Sequence, residues 1–309
     1  MFFFLFKHKR MLNTEHSNPF RTYANKIADT KNKNKTQTIV IDGVDTHIPN
    51  NVPIAIIGDK GSGKTTLLNS IMELTHKNKV YNHIYFIYTT LSLDQELPKY
   101  VTAVNVNEAE EFIANLFEIK SIFNSYYKLF HSMTEKQLET LDLQHIDNNI
   151  IKYNSGTINS NMDDKTKVEK IISTGEKILK TFTNSFKLGN VTVNGLHYND
   201  MDLLVIDDMA IAAKIIFKRI TDNPLYEYFT LTRHMRMSII MCGQQIEQLP
   251  KMLRRETQCW IVSKNTNLEL LKGVLQQQTL KNIYQKQQQI SNQYEFVLYN
   301  AIDGTLTTI

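Results

Sequence analysis

Short apolar runs rich in β-branched residues alternate along this chain with amphipathic stretches, the order expected of an α/β protein on a mostly parallel sheet. Val52-Pro53-Ile54-Ala55-Ile56-Ile57 reads as a buried strand. Ile84–Tyr88, Val101–Val104, Leu203–Ile206, Ser238–Cys242 and Cys259–Val262 read as further strands, and Tyr294–Tyr299 as a closing one. Ile39-Val40-Ile41 predicts an edge strand. A helix is expected to start near Lys64. Phe112, Ile113, Leu116, Phe123, Tyr127 and Phe130 recur at helical spacing, with Asn107 and Glu110 resembling a capping box ahead of them. Two more helical stretches lie around Val168–Phe182 and over Asn267–Gln289, where the glutamines of Gln276–Gln278 and Gln285–Gln289 read as a solvated face.

The same pattern divides the chain. Residues 1–38 are a polar lead-in carrying the run Lys31-Asn32-Lys33-Asn34-Lys35, and residues 39–309 hold the α/β domain. From about 130 to 199 the sequence turns polar and rich in Asn, Lys and Thr. It has too few regular apolar positions to bury a core alone, so it reads as a surface insertion before the strand at Leu203. Its length for a connection implies either function or partial disorder. No internal repeat stands out.

Composition narrows the class only a little. With 309 residues, 42% hydrophobic and 21% charged, the chain is globular and neither disordered nor collagen-like. A formal charge of +4 establishes no nucleic-acid binding, though it is compatible with a local basic face. Cys242 and Cys259 form no disulfide framework or zinc pattern, which fits a reducing, intracellular setting. The opening MFFFLF stops at Lys7, far short of the roughly 20 residues a membrane span needs. It also lacks a preceding positive region, so no membrane partner is expected, and Met11 is a candidate initiator.

Chemistry enters at Gly58-Asp59-Lys60-Gly61-Ser62-Gly63-Lys64-Thr65-Thr66, which fills the pattern G-x-x-x-x-G-K-T between an expected strand and an expected helix. Glycines let the backbone N–H groups turn toward a phosphate chain, and the helix N-terminus adds its positive end. Lys64 would reach the β- and γ-phosphates of ATP, and the Thr65 hydroxyl would ligate Mg²⁺.

An apolar strand ending in acid is the second part of such a site, and Leu203-Leu204-Val205-Ile206-Asp207-Asp208 supplies one. Asp207 is the expected metal-shell carboxylate and Asp208 the expected base for the attacking water. Alone, two acids after a strand also serve as a helix cap or solvated loop. Coupled to the phosphate loop, they favour hydrolysis. The strand from Ser238 ends at Gly243-Gln244-Gln245, where Gln244 could position water if that strand lies beside the one carrying Asp207. Arg233, His234, Arg236, Lys251, Arg254 and Arg255 concentrate charge around that strand. Such cations stabilise phosphoryl charge in a neighbouring subunit, contact nucleic-acid phosphates, or simply face solvent.

With these residues in hand, the chain resembles the genome-packaging ATPases of large DNA viruses and virophages, the poxvirus-type branch of the FtsK–HerA superfamily. The resemblance runs from Pro53 to Lys264 around the polar insertion. It rests on GDKGSGKTT, on LLVIDD with its double Asp, and on RHMRMSIIMCGQQIEQLPKMLRRE from Arg233 to Glu256. Thr232 departs from a glycine common before Arg-His, and Glu256 from an Asn common after the arginine.

The resemblance implies a RecA-like P-loop NTPase that hydrolyses ATP with Mg²⁺. Lys64, Asp208, Gln244 and Arg254 would be catalytic, and Thr65 and Asp207 would hold the metal. Arg254 would be the intersubunit finger, with Arg233 and Arg255 as competing candidates. It further implies a homo-oligomeric ring that grips double-stranded DNA without reading sequence, a capsid or portal protein as partner, and work in the host cytoplasm at virion assembly sites or on the virion. A replication or recombination helicase would carry nearly the same core motifs. A small-molecule P-loop kinase would instead show a lid with arginines and an acceptor pocket and would need no water-positioning Gln244, and a non-hydrolysing scaffold would leave Asp208 and Gln244 idle.

Overall fold

The computed structural model describes residues 37–41, 44–89, 97–133, 135–179, 185–196, 200–217 and 224–309. The lead-in expected for residues 1–38 lies outside them up to residue 36. The chain forms two compact units, one of Thr36–Lys120 with Thr181–Ile309, the other including Ser121–Lys180. In chain order the strands are β1 (Gln37–Ile41), β2 (Val44–Ile48), β3 (Pro53–Ile57), β4 (His83–Tyr88), β5 (Val101–Asn105), β6 (Ser185–Leu188), β7 (Val191–Asn194), β8 (Asp202–Ile206), β9 (Met237–Gly243), β10 (Cys259–Ser263), β11 (Phe296–Asn300) and β12 (Leu306–Thr308). The α-helices are α1 (Lys64–Lys77), α2 (Ala109–Ser132), α3 (Glu135–Glu139), α4 (Asn148–Asn154), α5 (Asp164–Leu179), α6 (Met209–Ile216), α7 (Pro224–Thr230), α8 (Thr232–Met235), α9 (Lys251–Glu256) and α10 (Gln277–Gln289).

Eight strands form the main sheet in the order β12-β11-β10-β3-β9-β8-β4-β5. Pairing is parallel from β10 to β5, and β11 runs antiparallel to β10 and β12. Residues 53–57 of β3, 202–206 of β8 and 237–243 of β9 are buried throughout, as a strand covered on both faces requires. Ile54, Ile56, Leu68, Ile71, Leu203 and Ile240 meet in one apolar cluster under α1. The expected α/β order with a mostly parallel sheet is therefore present.

Several local expectations are corrected. Ile39–Ile41 is not an edge of the main sheet. It belongs to β1, which pairs with β2 in a separate two-stranded sheet. The Asn107–Glu110 capping box does not form: Asn107 turns both its amide and its Nδ2 onto Asn105 Oδ1, and the Glu108 carbonyl accepts the Phe112 amide. Asn267–Gln289 is helical only from Gln277, after a 3₁₀ turn at Glu269–Leu271. Nor is its glutamine face all solvated. Gln287 is buried and donates to the carbonyls of Ser263 and Thr266 at 2.8 and 3.2 Å.

Of the span 130–199, residues 130–179 belong to the unit including Ser121–Lys180, which has buried side chains both ahead of the span, at Ile122, Phe123 and Tyr126, and within it, at Ile150, Ile171 and Ile178. Gly175 leaves no room for a Cβ, which would stand 2.4 Å from the Tyr126 ring. Asn154 is fully buried there and donates to the Tyr126 hydroxyl. Residues 185–194 form the hairpin β6–β7 in the other unit. Among the described residues, no helix is long and apolar enough to cross a membrane.

The starting edge of the sheet is fixed by buried polar groups. Ser238 Oγ accepts the Asn51 amide and the Tyr81 hydroxyl, each at 2.8 Å. Lys120 is only 4% exposed; its ammonium lies 2.5 Å from Asp202 Oδ2 as an ion pair and donates to the carbonyls of Asp200 and Met235 at 3.0 and 3.3 Å. Burial pushes the Asp202 carboxyl up, and the charges of Lys120 and His83 oppose that. Breaking such a pair strands a charge out of water. Lys120→Met is expected to cost about 3–5 kcal/mol of unfolding free energy in urea titration, and adding Asp202→Asn should recover much of the loss.

Candidate active site

The carboxyl edge of the main sheet gathers the chemistry. β3 ends directly in Gly58, and the loop turns back through Gly61 and Gly63, whose φ values of 81° and 91° suit glycine. Gly58 is cornered: a Cβ there would lie 2.6 Å from Ser62 Oγ and 2.9 Å from Ser263 Cβ. Helix α1 starts at Lys64 with no acidic residue in its first turn, so its positive end faces the loop uncompensated. Lys64 Nζ donates to the loop's own carbonyls, Gly58 at 2.5 Å and Asp59 at 2.9 Å. Burial pulls the Lys64 ammonium down, while Cys242, Asp207, Asp59 and Asp208 oppose it.

Strand order brings the acids to the same edge. β9 lies between β3 and β8, and the Gly58 amide donates to the Gly243 carbonyl at 3.1 Å. The expected adjacency of the Gln244 strand to the Asp207 strand is thus observed. Asp207 still bonds the sheet, its amide donating to the Ile87 carbonyl, and its Oδ1 accepts the Asp208 amide at 3.0 Å. Burial raises the Asp207 carboxyl, as does the neighbouring Asp208 charge, while the Asp208 amide and Lys64 hold it down. Asp208 sits at φ 53° and ψ 69° ahead of α6 and does not cap that helix with its side chain. A non-glycine residue in the left-handed region costs energy, least for Asp and Asn, and such residues gather at functional sites.

Gln244 is exposed at the tip of β9, and its amide donates to Gln248 Oε1 at 2.7 Å. Gln248 therefore orients the tip, a role that no sequence motif signalled. Thr266 is a second unsignalled support. Its hydroxyl donates to the Ile57 carbonyl at 3.1 Å, bracing the last residue before the loop.

The arginines do not join this edge. Arg233 reaches Gln258 Oε1 at 2.7 Å, and the Gln258 amide donates to Pro53, the first residue of β3. Arg254 and Arg255 occupy the last turn of α9, which hands over to β10 at that same starting edge. A strand of β3's length spans about 16 Å. These cations are thus displaced from their own chain's phosphate loop by roughly the length of the sheet.

In comparison with known proteins, the family described as ABC transporter matches residues 41–180, which include the loop but stop short of Asp207. No curated protein matches in sequence. Among solved structures, the chain is similar to B204, the DNA-packaging ATPase of Sulfolobus turreted icosahedral virus, at 14% identity and TM-score 0.44, covering 84% of this chain and 98% of that one. It is also similar to the pCW3 conjugation coupling protein TcpA, at 13% identity, TM-score 0.49 and 88% and 64% coverage. A third is the cytoplasmic domain of the type VII secretion ATPase EccC of Thermomonospora curvata, at 14% identity, TM-score 0.46 and 88% and 28% coverage.

A phosphate loop between β3 and α1, with an acidic strand one strand away, defines a P-loop nucleoside triphosphatase. Gly58→Ala is expected to weaken ATP binding about tenfold or more in calorimetry, with the circular dichroism spectrum unchanged, because the methyl would displace Ser62 or Ser263.

Proposed function

We propose that this ATPase is a ring-forming motor that drives double-stranded DNA into a viral capsid. The observation that carries the reading is the separation of Lys64, Asp207, Asp208 and Gln244 at one edge of the sheet from Arg233, Arg254 and Arg255 at the other. An arginine so placed serves a phosphate only on another subunit. Arg254 is only partly buried and Arg255 is exposed, so both are open to another chain. The resemblance of Arg233–Glu256 to viral packaging ATPases supports the DNA assignment. A capsid or portal partner, duplex DNA gripped through its phosphates, and work in the host cytoplasm or on the virion belong to the same reading.

The residues divide the labour. The loop amides and Lys64 would cradle the β- and γ-phosphates, Lys64 exchanging its bonds to Gly58 and Asp59 for phosphate oxygens. Thr65 and Asp207 offer a hydroxyl and a carboxylate, an all-oxygen set suited to Mg²⁺, which when bound polarises phosphate oxygens and neutralises their charge. Asp208 would take the proton of the attacking water and Gln244 would hold that water in line.

Asp208→Asn is expected to cut kcat by about a hundredfold or more while ATP binding stays within a few-fold, and duplex DNA should stimulate the wild-type rate. Equal rates in both proteins, or indifference to duplex DNA, overturn the assignment. Unwinding of forked DNA would point instead to a helicase. A mixture of Lys64→Ala and Arg254→Ala chains should regain ATPase activity that neither variant has alone. Only a site completed across subunits permits that, and a mixture as inactive as its parts counts against Arg254.

A further inference from the structure

The nucleoside end of the substrate has no place in the chemistry above, and the loop's surroundings indicate one. Asp207 and Asp208 follow β8, which is separated from β3 by β9, so the γ-phosphate end belongs on the β9–β8 flank of the loop. A triphosphate is linear. With the loop amides around its middle, its α-phosphate and nucleoside leave past Gly63 and the first turn of α1, on the flank of β10 and β11.

One aromatic side chain waits there. β11 runs antiparallel to β10, so its start lies at the same edge as the phosphate loop, and Tyr294 stands two residues before that start. The ring covers the loop: a Cβ on Gly63 would meet Tyr294 Cδ1 at 3.2 Å. Yet Tyr294 remains 59% exposed, the largest exposure among the large apolar side chains left open to solvent. Its backbone is held, the amide donating to Asn292 Oδ1 at 3.0 Å. A large ring kept in water against the substrate loop carries an energetic cost that bound ligand would relieve.

We propose that Tyr294 is the platform on which the nucleobase stacks, a positioning residue for the nucleotide whose phosphates the loop holds. This rests on the nucleotide-binding reading of the loop. Stacking reads the flat face of a base and not its hydrogen-bonding edge. The platform therefore favours purines as a class, and ATP and GTP should depend on it alike.

The test uses the full chain in steady-state hydrolysis, with inorganic triphosphate as a competitor that has phosphates and no base. Tyr294→Ala is expected to raise KM for ATP and for GTP about tenfold, leave kcat within about twofold, and leave inhibition by triphosphate unchanged. Tyr294→Phe should restore both KM values. An unchanged KM overturns the proposal, and so does a parallel loss of triphosphate inhibition, which would mean a distorted loop. Tyr284, 58% exposed on α10, lines a groove of about 710 Å³ beside Thr266 and is the control. A KM effect at Tyr284→Ala in place of Tyr294→Ala would move the base into that groove and overturn the platform. Lys64→Ala, inactive in hydrolysis, separates the two readings by calorimetry: it should lose binding of inorganic triphosphate, and retained binding would strike the loop assignment on which the platform rests, whereas an unchanged KM in Tyr294→Ala strikes the platform alone.

Discussion

The hydrogen bond from the Gly58 amide to the Gly243 carbonyl joins the first residue of the phosphate loop to the end of the strand beside it. Through it, β3, β9 and β8 finish within a residue or two of one another, and their tips share one edge. Parallel pairing makes this possible, because strands that run the same way present all their carboxyl ends together. The strand β9 supplies no acid and no phosphate-binding loop. Its contribution is width: it sets the Lys64 loop and the Asp207 carboxylate one strand apart, near enough for charge to be felt between them. Ser238 holds the other end of the same strand, taking hydrogen bonds from Asn51 and Tyr81.

Around this edge the protein keeps charge in a loaded state. Lys64 rests on two carbonyls of its own loop, Asp207 is raised by burial, and Asp208 holds a backbone conformation that costs energy. Each of these is a cost that a bound polyphosphate and its cation would relieve. Lys120 shows the opposite arrangement at the starting edge, where the cation is buried against Asp202 and two backbone carbonyls. Buried charge is thus spent on rigidity at one end of the sheet and kept available at the other.

How much of this was legible in the sequence follows from the reach of each signal. The loop at Gly58–Thr66 and the strand ending in Asp207 are written in contiguous residues, and both appear where the pattern put them. Strand order is not contiguous, so the position of β9 between β3 and β8 could only be posed as a condition. Gln248, Thr266 and Tyr294 support the loop from turns that carry no periodicity, and each is close to the loop only because β9, β10 or β11 ends there. The hairpin at Ser185–Asn194 had a readable sign, alternating residues around Gly189-Asn190, but the polar composition of the surrounding span obscured it. Asn107 did not cap for a local reason: two residues earlier, Asn105 Oδ1 draws both its amide and its side-chain Nδ2.

The opposed edges of the sheet have a consequence for symmetry. A subunit whose phosphate loop is at one end and whose Arg233, Arg254 and Arg255 are at the other has a head and a tail. A twofold axis across the strands sets two such subunits antiparallel, so that each tail can face the other's head and two sites are completed at once. In the proposed ring the contact is heterologous instead, and repeating it produces either a closed cycle or an open helix, according to whether the rotation between neighbours divides a full turn. In an open string the terminal loop always lacks its arginine; closing the cycle removes that last defect.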